Sequence, residues 1–138
     1  MEPVLAACAA LGKPAELIVY GHAPMMVSAQ CITRTVKGCS SRPAVMMMKD
    51  RTGAMLPVKN HCVFCYNTIY NPSPTSLLGN EQLVRRLGVN RVRLSFTLED
   101  GKETEALLEA FSNAFLHGEK VAAPYKEFTR GHFKRGVE

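Results

Sequence analysis

The sequence predicts an α/β protein, and three observations carry that reading. A β-branched run at 16–20 closes on Gly21, as a buried strand does. The second half reads helix, strand, helix, which suits packing on a parallel sheet. Of 138 residues 46% are apolar and 21% charged, enough for a core and against disorder. The length is that of one ordinary domain, and no apolar run approaches the roughly 18 residues of a membrane helix. Met1–Leu11 is apolar but carries Glu2 and no basic segment, so it is a poor secretory signal. The expected compartment is the cytoplasm, with no membrane partner.

Cys8 lies on the apolar, helical first segment and reads as an inert core thiol. After the strand at 16–20, Gly21-His22-Ala23-Pro24 breaks the chain and Met25–Ser28 is a second extended piece. Gln30–Arg42 reads as a polar loop. Ala44–Lys49 and Ala54–Lys59 flank Asp50-Arg51-Thr52-Gly53, which predicts a β-hairpin. Asn71-Pro72-Ser73-Pro74 is a turn, because each proline drives its predecessor out of the α region. Asn80 caps a helix running to Leu87, with Gly88 as its stop. Arg91–Leu98 is a strand with Val92, Leu94 and Phe96 on one face. Asp100-Gly101 then turns into a helix over about Lys102 to His117, ended by Gly118, whose stripe is Leu107, Leu108, Phe111, Ala114 and Phe115. The basic tail is 120–138, and from Pro124 to Glu138 it shows no periodicity and is free to lie across the body.

Seventeen Lys and Arg against twelve Asp and Glu give +5. Arg85, Arg86, Arg91 and Arg93 are clustered, and Arg130, Lys134 and Arg135 crowd the C-terminus. They make either a solvated face with a basic tail or a phosphate-contacting surface, with stacking by Tyr125, Phe128 or Phe133 as an addition.

Cys31, Cys39, Cys62 and Cys65 are spaced C-x7-C-x22-C-x2-C. In a reducing compartment clustered thiols bind metal or do redox chemistry more often than they form disulfides. Four thiolates suit a 4Fe–4S cluster or a tetrahedral zinc, and the hairpin would return the later pair to the earlier one. Four ordinary thiols are the plain alternative. All six internal methionines fall between Met25 and Met55 and read as gap-filling core residues, or as a soft jacket around a cluster. His61, beside Cys62, is a solvated loop histidine or a hydrogen-bond partner of the ligand sulfurs. His22 follows a strand end, where α/β enzymes place active-site groups, or is a turn histidine. His117 suits a helix C-terminus, and His132 faces either a site or solvent. No G-x-S-x-G elbow, H-E-x-x-H site or P-loop occurs.

Val19-Tyr20-Gly21, Pro24-Met25-Met26-Val27-Ser28 and Cys31 resemble the signature region of the collagenase-like peptidase family (peptidase family U-thirty-two). Lys49-Asp50-Arg51, Pro57–Cys62, Tyr66-Asn67 and the closing 129–138 continue the likeness, over roughly residues 15–138. The resemblance implies the C-terminal part of a TIM-like barrel. Glu16–Tyr20 and Arg91–Phe96 would be two late strands, 30–75 a cysteine-bearing insertion, and the 102–117 helix an outer one. It therefore implies one incomplete domain over 1–138, needing upstream barrel residues or an oligomeric partner to cover its sheet edges.

The family name implies proteolysis, while its better-understood relatives are oxygen-independent hydroxylases of RNA or ubiquinone precursors. The resemblance thus implies a 4Fe–4S cluster on Cys31, Cys39, Cys62 and Cys65, with zinc as the alternative, and RNA as the partner. Candidate RNA contacts are Arg85, Arg86, Arg91, Arg93, Arg130, Lys134 and Arg135. A peptidase, or an inactive structural or RNA-binding remnant, is the alternative function, and no catalytic residue is assigned.

Overall fold

The computed structural model describes residues 2–39 and 41–130. In chain order the elements are α1 (Glu2–Ala10), β1 (Glu16–Gly21), β2 (Pro24–Ser28), α2 (Ile32–Lys37), β3 (Val45–Lys49), β4 (Met55–His61), β5 (Tyr66–Tyr70), β6 (Thr75–Ser76), α3 (Glu81–Arg86), β7 (Arg91–Ser95) and α4 (Gly101–Ser112). A π-helical turn, Asn113–His117, continues α4. The chain is α/β, as its pattern predicts. It divides into two compact units, one built from the residues up to Gly21 with those from Pro74 onward, the other from His22–Ser73. No helix among the described residues is long and apolar enough to cross a membrane.

The first unit holds a three-stranded sheet, β6-β1-β7. β1 and β7 are parallel, in register from Glu16↔Arg91 to Gly21↔Ser95 with a bulge between Ile18 and Tyr20, and β6 joins antiparallel. The apolar side is covered by Val84 of α3, Leu107 and Phe111 of α4, and Ala114 and Phe115 of the π-helical turn, which pack with Val19, Tyr20, Leu77 and Leu78. Each such Leu or Phe contributes about 1.5–3 kcal/mol of transfer free energy. On the opposite side Ile18 remains half exposed beside Arg93. Asp100 and Glu103 close a reciprocal capping box at the start of α4, each carboxylate accepting the other's amide at 2.9 Å. The tail lies along the unit as far as Arg130: Thr129 N donates to Pro74 O, and Ser76 N to Thr129 O.

The second unit is a wholly antiparallel four-stranded sheet, β2-β5-β4-β3. The Asp50–Gly53 loop joins β3 to β4 as predicted. Asp50 Oδ1 accepts the amides of Thr52 (2.7 Å) and Ala54 (2.8 Å), and Gly53 takes the positive φ of 93° the turn demands.

Several expectations change. The predicted loop 30–42 contains a helix, α2. β7 ends at Ser95, three residues short of Leu98. The helix predicted to His117 is α-helical only to Ser112. Asn80 stands at the N-cap of α3 without a side-chain capping bond. The methionines are not core: Met25, Met26 and Met47 are exposed on the edge strands β2 and β3, and Met55 is exposed at the first position of β4. Among the described residues neither sheet closes into a barrel.

Candidate metal centre

All four cysteines of the spaced set belong to the His22–Ser73 unit. Cys31 occupies the N-cap position of α2 and is buried. Cys39 follows Gly38, whose φ of 83° ends the same helix. The earlier pair therefore brackets one short helix. Cys62 and Cys65 bound the four-residue turn from β4 into β5, where His61 pairs with Tyr66. Phe64 N donates to His61 O at 3.1 Å, and Cys65 takes a left-handed φ of 53°, which lets two thiols share so tight a loop. Cys8 lies on α1 in the other unit, partly buried rather than in the core, and outside the set.

Asn60 organises the approach to the pair. It is 2% exposed, its Oδ1 accepts Ala44 N, and its Nδ2 donates to Cys62 Sγ at 3.2 Å and to Arg42 O at 3.4 Å. Partial burial pushes the Cys62 thiol up, and the neighbouring sulfurs of Cys31, Cys39 and Cys65 push it further. Cys62 thus senses all three partners. Cys39 is lowered, first by the Ser41 amide and hydroxyl and then by the Arg34 guanidinium. Yet among the described residues no three His, Cys, Asp or Glu side chains are set to hold a metal ion. The thiols are neighbours in the field of Cys62, short of a closed ligand set. Beside Cys31, the buried Thr33 Oγ1 has no hydrogen-bond partner among the described residues, nor has Asn67 Oδ1, whose own amide donates to Gln30 O.

His61 Nε2 lies 3.2 Å from Thr68 Oγ1, and its ring stacks on Tyr66 at 4.3 Å and 15°. Its bonding thus goes to Thr68 and Tyr66. Phe64 lies against Tyr66 at 6.3 Å and 29°, and is 75% exposed. His22 Nδ1 meets Asn71 O at 2.8 Å, within the second unit. His117 is exposed in the π-helical turn.

Two of the arginines proposed to meet RNA are engaged by the fold. Arg93 Nε pairs with Glu16 Oε1 at 2.7 Å, and Arg85 donates to the Phe115 carbonyl of the π-helical turn. Arg85 and Arg86 line an open groove of about 1100 Å³, but Glu81 and Glu119 line it too. Arg91 and Arg130 are exposed, while Lys134 and Arg135, with His132 and Phe133, lie outside the described residues. Tyr125 packs on Tyr20 and Phe128 and bonds Ser76, so it belongs to the first unit's packing.

The charge asymmetry that local clustering missed is between the units. Residues 22–73 carry Arg34, Lys37, Arg42, Lys49, Arg51 and Lys59 against Asp50 alone, which is +5, the net charge of the whole chain. The other unit is formally neutral. Counting charge by segment would have found this in the sequence. Compared with family models, curated proteins and solved structures, the chain matches none.

Proposed function

We propose that the His22–Ser73 unit is a four-thiolate centre for a 4Fe–4S cluster, in a protein that hydroxylates RNA without molecular oxygen. The observation that carries it is that all four thiols of the spaced set belong to one unit, two at the ends of α2 and two bounding the β4–β5 turn. Cys31 and Cys39 stand at the two ends of one short helix, so metal binding there would couple to the ordering of that segment. A bound cluster supplies one-electron transfer. The chain supplies four thiolates and the Asn60 N–H on Cys62 Sγ, a donor that stabilises negative sulfur. RNA as substrate is supported by the +5 of the same unit, which attracts phosphate with a strength that falls as salt rises.

The parallel pairing of β1 and β7, with one face partly open, supports their assignment as two late strands of a TIM-like barrel. Proteolysis draws on the family likeness alone.

Anaerobic reconstitution with iron and sulfide tests the centre. A brown chain holding about four irons and four sulfides is expected, lost in Cys62→Ser and kept in Cys8→Ser. One tightly held zinc on a colourless chain replaces the cluster with zinc, and a chain that takes up neither ends the thiolate reading.

A further inference from the structure

We propose that the Cys62–Cys65 turn presents a base-stacking platform, on which an unpaired base of single-stranded RNA packs against the open face of Phe64. The ring of Phe64 lies against Tyr66, and Tyr66 stacks on His61, so three rings back one another beside the thiol pair. Phe64 is 75% exposed and Val63 86%, an apolar tip on a turn otherwise made of the two cysteines. Val63 and Phe64 are adjacent, so their exposed apolar surface is continuous. A stacked ring held by its neighbours gives an incoming base a rigid face with little ordering left to do.

Charge selects the occupant. The platform belongs to the unit that carries all five net positive charges and one acid. Arg34 and Lys37 lie in the last turn of α2, between Cys31 and Cys39 in the chain. These cations therefore belong to the same cysteine-bearing unit as the ring. Four thiolates with a 2+ metal centre would bring the unit from +5 to +3, still cationic. A partner reading an apolar tip inside a cationic field is one with flat apolar faces joined by phosphates. Duplex RNA hides its base faces within the stack, so the platform favours single strands.

The proposal shares its RNA partner with the reading above but needs no metal. Metal content is therefore measured on every sample, so that loss of the centre and loss of stacking are seen separately. The test is fluorescence anisotropy of the full chain with a labelled single-stranded RNA, its duplex form and a single-stranded DNA of the same sequence. Phe64→Ala is expected to weaken single-strand binding about tenfold with an unchanged circular dichroism spectrum, and Phe64→Tyr to retain it. DNA binding at equal strength identifies a general single-strand site that still uses Phe64. Equal affinity of Phe64→Ala and the parent chain, or equal affinity for single strand and duplex, overturns the platform and leaves charge alone. Binding of Phe64-dependent character to anionic vesicles, with none to the oligonucleotides, overturns it in favour of a lipid surface.

Discussion

Removing one hydroxyl at the heart of the first unit tests the electrostatic account of its core. Tyr20 is 3% exposed, and its hydroxyl donates to Glu99 Oε1 at 3.0 Å, linking the end of β1 to the segment after β7. Burial raises the Tyr20 pKa far above its ordinary value, aided by the Glu99 charge, so Tyr20 stays a neutral donor at working pH. Burial alone would raise Glu99 too. Its own amide, those of Thr97 and Leu98, and the Tyr20 hydroxyl outweigh that and hold the carboxyl below the usual carboxylate range.

A hydrogen bond to a charged group is worth about 1.5–3 kcal/mol. Glu99 is only half-buried, and solvent screening brings the expected loss in Tyr20→Phe down to about 1 kcal/mol at pH 7. The sign of the pH dependence follows from the lowered carboxyl. Its stabilisation is present above the unfolded Glu value of about 4.3 and disappears as pH falls through the folded one. Urea unfolding of Tyr20→Phe, Glu99→Gln and the double variant, followed by circular dichroism from pH 7 to pH 3, measures both quantities. The single variants should flatten the acid limb, and the double variant should cost less than their sum. A Tyr20→Phe chain as stable as the parent at pH 7, with the same acid limb, refutes the reasoning.

Gly21→Ala should destabilise the first unit by about 2 kcal/mol or more, because an added Cβ falls 2.6 Å from Ser95 O at a φ of 149°. Urea midpoints read this directly. Leu77→Ala removes a side chain only 2% exposed from the same core and should cost about 2–5 kcal/mol, with the denaturant slope unchanged. Asn60→Ala removes the acceptor for Ala44 N and the donor to Cys62 Sγ, an expected loss of about 2 kcal/mol. Loss of that donor should also slow the reaction of Cys62 with a thiol reagent, because less of the thiol ionises, measured by mass spectrometry of the labelled peptide.

The elements that announced themselves in the sequence are those whose local chemistry and tertiary role agree. Asp50 and Gly53 make a turn from their own side chain and backbone, whatever packs around them. Asp100, Glu103 and the stripe ending at Phe115 mark a helix that buries the face its period defines. α2 stayed hidden because Ile32, Thr33, Thr35 and Val36 are β-branched and argue for extended chain. The helix forms nonetheless, with Cys31 and Gly38 at its ends. The methionines misled for another reason: apolar character says a residue can be buried, not that its strand lies inside a sheet. The C-x2-C pair was plain, but a lone exposed ring such as Phe64 within it leaves no period to detect. The π-helical turn also has no sequence signature, since Leu116 and His117 continue a pattern compatible with α-helix.

The pairing at the two ends of the His22–Ser73 unit bears on how the chain reaches its native state. Asn71 N donates to Ala23 O, Pro24 pairs with Tyr70, and on the other side of the junction Gly21 pairs with Thr75. For the first unit, bringing β1 and β6 together means closing a loop of more than fifty residues, a step opposed by chain entropy. The β3-β4 and β4-β5 hairpins shorten the loop that β2 must close onto β5, and that pairing then holds residues 23 and 71 side by side. The inserted unit thereby shortens the loop its host must close. Substitutions that unfold the His22–Ser73 sheet should therefore slow the appearance of the β6-β1-β7 sheet, read by stopped-flow refolding.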